Sequence, residues 1–153
     1  MAQPIAFTDT SGRFQLPFLF AGQAQKEFFV NEAHALTDML LHTTILGELA
    51  GPPSESVDGD IWLVASGAIG EWACHDGDLA GRQAGLWKFI TPRDGMRIFD
   101  SSIGQFALHS GGWVRAAPPT IPATGQTVDS ELRDAFDQLI EALRNAGIFP
   151  VTE

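Results

Sequence analysis

The chain reads as an α+β protein: a long N-terminal amphipathic helix, an antiparallel β-meander, small sandwich or barrel, and a short C-terminal heptad helix. Three observations predict this. Between Ala21 and Leu49 apolar residues recur at helical spacing, with Phe29, Ala33, Leu36 and Leu40 on one stripe. From 55 to 116 short Val, Ile, Trp and Phe runs alternate with glycine turns. Near the end, Leu132, Phe136, Leu139, Leu143 and Ala146 step by four, three, four and three residues, a heptad seam. A length of 153 residues suits one domain with appendages. The expected division is an extended arm at 1–20, a helix plus antiparallel β domain at 21–115, a linker at 116–127 and a C-terminal oligomerisation or docking helix at 128–153.

The arm carries Phe7, Phe14, Leu16, Phe18, Leu19 and Phe20, while Pro4 and Pro17 discourage helix. These side chains need cover, from their own body or from a neighbouring subunit, and both readings stay open. In the first helix Phe28, Ala35 and Met39 widen the apolar stripe, and Gly51-Pro52-Pro53-Ser54 ends the element. Gln23, Gln25, Asn31 and Glu32 place hydrogen-bonding groups within the helix. A buried amide in such a position fixes register or oligomer state, so this stretch is read as an assembly element; the plain alternative is an exposed polar face.

The expected strands are Ile61–Val64 after Asp58-Gly59-Asp60, Glu71–Cys74 after Gly67–Gly70, Leu86–Ile90 before Thr91-Pro92, and Met96–Phe99 before Asp100-Ser101-Ser102. Gln105–His109 meets Trp113-Val114 across Ser110-Gly111-Gly112, a hairpin turn. Trp62, Trp72, Trp87 and Trp113 all fall in these runs. Each either fills the sheet core or offers a stacking platform for a sugar ring. AAPPTIPATGQT is a stiff linker. Asp129 or Ser130 caps the last helix, Gly147 stops it, and Pro150 lies just beyond. A helix of this length is marginal alone in water and must dock, between subunits or on its own body.

A formal net charge of -10 with nine basic residues argues against binding a nucleic-acid backbone or an anionic membrane. Cys74 is the single cysteine, so no internal disulfide forms, as suits a reducing cytoplasm. The first residues lack the basic and apolar regions of a signal peptide, and no run reaches membrane-span length. His34 and His42 lie eight residues apart, roughly 80° around a helix axis and too far along it to share one metal. His75-Asp76-Gly77-Asp78 could hold a cation, but it lacks the calcium-loop pattern and reads more simply as a solvated turn. Cys74 beside His75 on a strand would point to the opposite face, so no nucleophile pair forms. No metal, cofactor or catalytic residue is expected, although a carboxylate pair for glycan hydrolysis stays open.

The pattern LPF…AGQAQKE…NEA, followed by DGDIWLV, GEWA and GLWKFITPRDG, resembles an alphaproteobacterial domain of unknown function from prophages and gene-transfer-agent clusters. The resemblance spans about 14–115. Members of that family sit in virion fibres and spikes. It implies a virion structural protein, assembled in the bacterial cytoplasm and released by lysis. Because little chain follows the β region, a base, adaptor or short spike is expected. Implied partners are further copies of itself (three favoured, five at a capsid vertex), other tail or capsid-vertex proteins, and a receptor-binding fibre or host polysaccharide. The competing class is a carbohydrate-binding module; a glycan-degrading enzyme is a third.

Overall fold

The computed structural model describes residues 22, 24, 26–119 and 129–150. Helix α1 runs over Lys26–Leu40 and is followed by strands β1 Thr44–Ile45 and β2 Glu48–Leu49. Next come β3 Ile61–Val64, a 3-10 turn at Gly70–Trp72, β4 Leu79–Gln83 and β5 Leu86–Ile90. The chain continues with β6 Arg97–Asp100, β7 Gln105–His109, β8 Trp113–Arg115 and helix α2 Ser130–Asn145. The α+β class holds.

Two expectations need correction. The first helix does not reach Leu49. It stops at Leu40, His42 adopts φ 50, and Thr43 Oγ1 donates to Met39 O at 2.9 Å, closing the last turn. The β-branched run Thr43-Thr44-Ile45 then favours extended backbone, and Gly47 at φ 148 separates the two short strands that follow. The β region, moreover, is neither a purely antiparallel meander nor a closed barrel. It forms two four-stranded mixed sheets, ordered β1-β6-β7-β8 and β2-β3-β4-β5. In each, a two-residue strand runs parallel to the first strand of an antiparallel triplet.

The two sheets are built alike down to single hydrogen bonds. Leu63 N donates to Gly47 O at 3.0 Å, and Phe99 N to Thr43 O at 2.9 Å. Gly59 N donates to Arg82 O, and Gly95 N to His109 O, both at 2.9 Å. In each sheet an Asp-Gly step precedes the first strand of the triplet, and its carboxylate clamps the tip of the hairpin that closes it. Asp58 accepts from Ala84 N at 2.9 Å and Gly85 N at 3.1 Å; Asp94 accepts from Gly111 N at 2.7 Å. The first clamp matters because Ala84 and Gly85 both hold positive φ, 51 and 71, the backbone a two-residue hairpin turn demands. One supersecondary unit thus occurs twice.

Strand alternation sends one face of each sheet to a shared core. Ile61, Leu63, Leu79 and Ile90 from one sheet meet Ile45, Ile98 and Ala107 from the other, with Met39 of α1 and Met96. Leu46 N donates to Ile61 O at 2.8 Å and ties the sheets along their starts. Strand β4 escaped the sequence reading because Gly81 and Arg82 interrupt its apolar run. Gly81 leaves room there for the Met39 side chain of α1: a Cβ would sit 2.7 Å from Met39 Sδ, so that side chain lies directly on the strand backbone.

The outer face of the β3 sheet carries Trp62, Val64, Ala80, Trp87 and Phe89, and the β3–β4 connection covers it with Trp72 and Ala68. Trp72, expected on a strand, therefore lies off the sheets. Its segment is a 3-10 turn entered through Gly70 at φ 65 and left through Cys74 at φ 71.

Candidate functional site

Helix α1 lies beside the β4–β5 hairpin, leaving a groove of about 970 Å3. Phe28, Leu41 and Leu86 line it and are each about two-thirds exposed. Asn31 and Glu32 also line this groove and are exposed; Glu32 Oε1 meets Lys88 Nζ at 3.1 Å. Within one chain they form an exposed polar face. Exposed pairs of this kind contribute little to stability. Phe14, Phe18, Gln23 and Gln25, expected at the interface, lie outside the described residues, as do the linker beyond Pro119 and the whole arm at 1–20.

Helix α2 starts as its sequence predicts. Asp129 caps it by accepting from Leu132 N at 2.9 Å, satisfying an otherwise open helix amide. The seam residues then divide. Leu132 and Leu139 are 67% and 53% exposed, Phe136 and Leu143 are half-buried, and Ile140 is the buried residue of the helix. The tail of the helix docks in cis. Gly147 turns at φ 70, its carbonyl accepts from Phe106 N at 2.7 Å, and Gln105 Nε2 donates to Ile148 O at 2.7 Å. Phe149 is buried behind it. The tail thus covers Phe99 and Phe106 on the outer face of the β6 sheet, while the seam leaves Leu132 and Leu139 open.

The four tryptophans have separate fates. Trp62 and Trp72 are buried, so neither is a stacking platform. They pack with half-buried Trp87 in a trio whose ring centres lie 5.0 to 6.4 Å apart, two contacts being edge-on. Trp113 differs. Its indole N–H donates to Gly77 O at 2.9 Å, bridging the two sheets, and the His109 ring meets it edge-on at 5.1 Å.

Around Trp113 runs a second groove, of about 490 Å3, between the sheets. Its walls carry Glu48, Asp76, Thr91, His109 and Arg115. Its charged groups are held by neighbours. Arg115 reaches Glu48 at 3.2 Å and the buried Asp100 at 2.8 Å. Asp76 accepts from Gly67 N and Ala68 N, both at 2.9 Å; these amides, Gly67 first, hold its carboxyl below the usual carboxylate range. At the rim, Asp94 is lowered too, by the Gly111 amide first and then by the hydrogen bond from His109. The sequence reading named Trp113 but missed Glu48, Asp100 and Arg115. Their only signal was charge at strand ends, which most surface residues share.

The turn around His75 is spent structurally. His75 stacks on Phe89 at 3.6 Å and pairs with Asp78 at 2.9 Å, so the His-Asp-Gly-Asp stretch is a hydrogen-bonded turn. Among the described residues no group of three or more His, Cys, Asp or Glu is placed to hold a metal ion, and no helix is long and apolar enough to cross a membrane.

No curated protein matches the chain. A family model described as "Protein of unknown function (DUF2793)" matches residues 30–114, from within α1 to β8. That span takes in both copies of the supersecondary unit and more than half of the sequence, and on it the chain belongs to the DUF2793 family.

Proposed function

We propose that this protein is a virion structural component of a phage or gene transfer agent, a base, adaptor or short spike that assembles as a homo-oligomer and joins other tail or capsid-vertex proteins. It acts by assembly and not by catalysis. The resemblance carried by AGQAQKE…NEA and GLWKFITPRDG supports the particle context. The observation that carries the assembly reading is the open seam of α2. A 16-residue helix that buries Ile140 and leaves Leu132 and Leu139 exposed on a 3.5-residue repeat has the pattern of a helix that packs on others of its kind. The exposed Phe28, Leu41 and Leu86 beside α1 add a second apolar area of the kind that marks contact surfaces.

Mass measurement in solution tests this reading. A trimer is expected, a pentamer fits a vertex position, and monomer alone at micromolar concentration would refute it. Leu139→Asp, which places a charge on the seam, should dissociate the oligomer while the sheets stay folded. Retention of full assembly would remove α2 from the interface. A second reading, a saccharide-binding module, is favoured by one observation, the polar groove around Trp113.

A further inference from the structure

We infer that the groove between the two sheets is a binding site for a neutral saccharide, with Trp113 as its floor and Glu48, Asp76, Thr91 and Arg115 as its hydrogen-bonding walls. The inference rests on the second reading above and gives it a place and a chemistry.

The argument begins with what separates Trp113 from the other three tryptophans. Trp62, Trp72 and Trp87 use their rings on one another. Trp113 is half-buried, packs on the shared core, meets the His109 ring edge-on at 5.1 Å, and lines the groove. Its N–H is already satisfied by Gly77 O, so the ring cannot turn without losing that bond. A fixed indole with an apolar surface is what the C–H face of a pyranose requires.

The walls decide which ligand accompanies such a ring. A polyol needs both acceptors and donors, each oriented beforehand. Asp76 and Glu48 supply carboxylate oxygens; the Asp76 carboxylate is pinned by two loop amides and Glu48 by Arg115. Arg115 supplies N–H groups, and Thr91 adds a hydroxyl. Arg115 is itself set by the buried Asp100, so its guanidinium is in place before any ligand arrives. An organic or metal cation fits less well, because the positive Arg115 guanidinium stands in the wall. An anion fits less well because firmly ionised Asp76 faces it. The volume, about 490 Å3, lies within the range of small-molecule sites and takes one or two sugar rings.

The position also makes sense of the duplicated architecture. The groove exists because two copies of one unit meet there: β2 and β3 of one copy bring Glu48 and Leu63, and the β7–β8 hairpin of the other brings His109, Trp113 and Arg115. Neither sheet alone supplies both the indole and the Asp76 wall.

The test uses the full chain and the methyl glycosides of glucose, galactose, mannose, rhamnose and N-acetylglucosamine, read by saturation-transfer NMR and by titration. At least one should bind with a Kd on the order of millimolar, ordinary for a single ring. Trp113→Ala should weaken that binding at least tenfold, and Trp113→Phe should restore part of it. Because Trp113 also touches the core, a second variant is needed. Thr91→Arg, at an exposed lining position, should block the same glycoside and leave thermal unfolding unchanged. Binding that survives both Trp113→Ala and Thr91→Arg would overturn this site while leaving a saccharide-binding protein. Absence of binding by all five glycosides would overturn the saccharide reading itself. Binding of arginine amide in place of any glycoside would make the groove a cation pocket and overturn the ligand class.

Discussion

The β3 sheet and the β6 sheet share a ladder but not a cover. Each pairs a two-residue parallel strand with an antiparallel triplet, and each clamps its closing hairpin with an aspartate. The β3 sheet hides its outer face under its own β3–β4 connection, through Trp72. The β6 sheet has only a short connection there, Ser101 to Gly104, and borrows the tail of α2 from some forty residues away, where Phe106 N meets Gly147 O. One unit therefore carries its second core with it. The other depends on a long-range contact and, for Leu108 and Val114, leaves about half of the side chain in solvent. Here the hydrogen-bond pattern recurs and the hydrophobic cover does not, because the ladder needs only backbone and the cover needs specific side chains.

The largest expected effect breaks the self-contained half. Trp72 is fully buried, and its ring meets Trp87 at 5.0 Å and Trp62 at 6.4 Å. Trp72→Ala should cost about 3–5 kcal/mol, the range for emptying a buried indole site. Measured by urea unfolding, the midpoint should fall sharply with the slope unchanged. A loss below about 1 kcal/mol would mean that the trio collapses to fill the space, and that the cover is less specific than the packing suggests.

The borrowed cover should fail more gently and more locally. Gly147 holds φ 70, and a Cβ there would lie 2.9 Å from Phe106 Cδ2. Gly147→Ala therefore faces both backbone strain and an aromatic ring, at a cost of about 1–3 kcal/mol. Hydrogen exchange should show the difference between the halves: the Phe106 amide loses protection, and the amides of β3 and β4 keep theirs. Equal loss across both sheets would indicate that the α2 tail supports the shared core, and would erase the distinction between the two covers.

The same distinction explains what could be read from the sequence. The β7–β8 hairpin and the Asp129 cap were legible because each is decided by neighbours in the chain: Ser110-Gly111-Gly112 in one case, an acceptor three residues before its amide in the other. Strands β1 and β2 were not. Two-residue strands carry no period, and their parallel partners lie 55 and 15 positions away. They were absorbed into the preceding helical stripe. Strand β4 was hidden by Gly81, whose absent side chain makes room for Met39. Trp72 looked like a strand residue because an indole between glycines suits a strand or a tight turn equally. At the candidate site Trp113 was legible as an aromatic, but its sorting from the other three depends on which face of which sheet is covered. That is a tertiary property.

The smallest expected effect concerns the charges that hold loops against the sheets. Asp76 serves the cover of the β3 sheet, through Gly67 and Ala68, and Asp94 clamps the β7–β8 hairpin through Gly111. Both carboxyls are held below their ordinary range, chiefly by these backbone amides. The sign follows from linkage. A depressed folded-state value means that the stabilisation is fully present above the unfolded value, about 3.9. It is lost as pH falls through the lower folded value. Stability should therefore decline below about pH 4. Asp94→Asn keeps an acceptor but removes the charge, so it should lower stability slightly at neutral pH, flatten the acid decline, and converge with the parent at the lowest pH. Asp76→Asn should behave likewise. Because both groups are solvent-exposed, each change is small, and urea midpoints across pH 5 to 2 are the sensitive readout. If Asp94→Asn leaves the acid limb as steep as before, its carboxylate contributes nothing beyond the hydrogen bond. The clamp shared by the two halves is then geometric and not electrostatic.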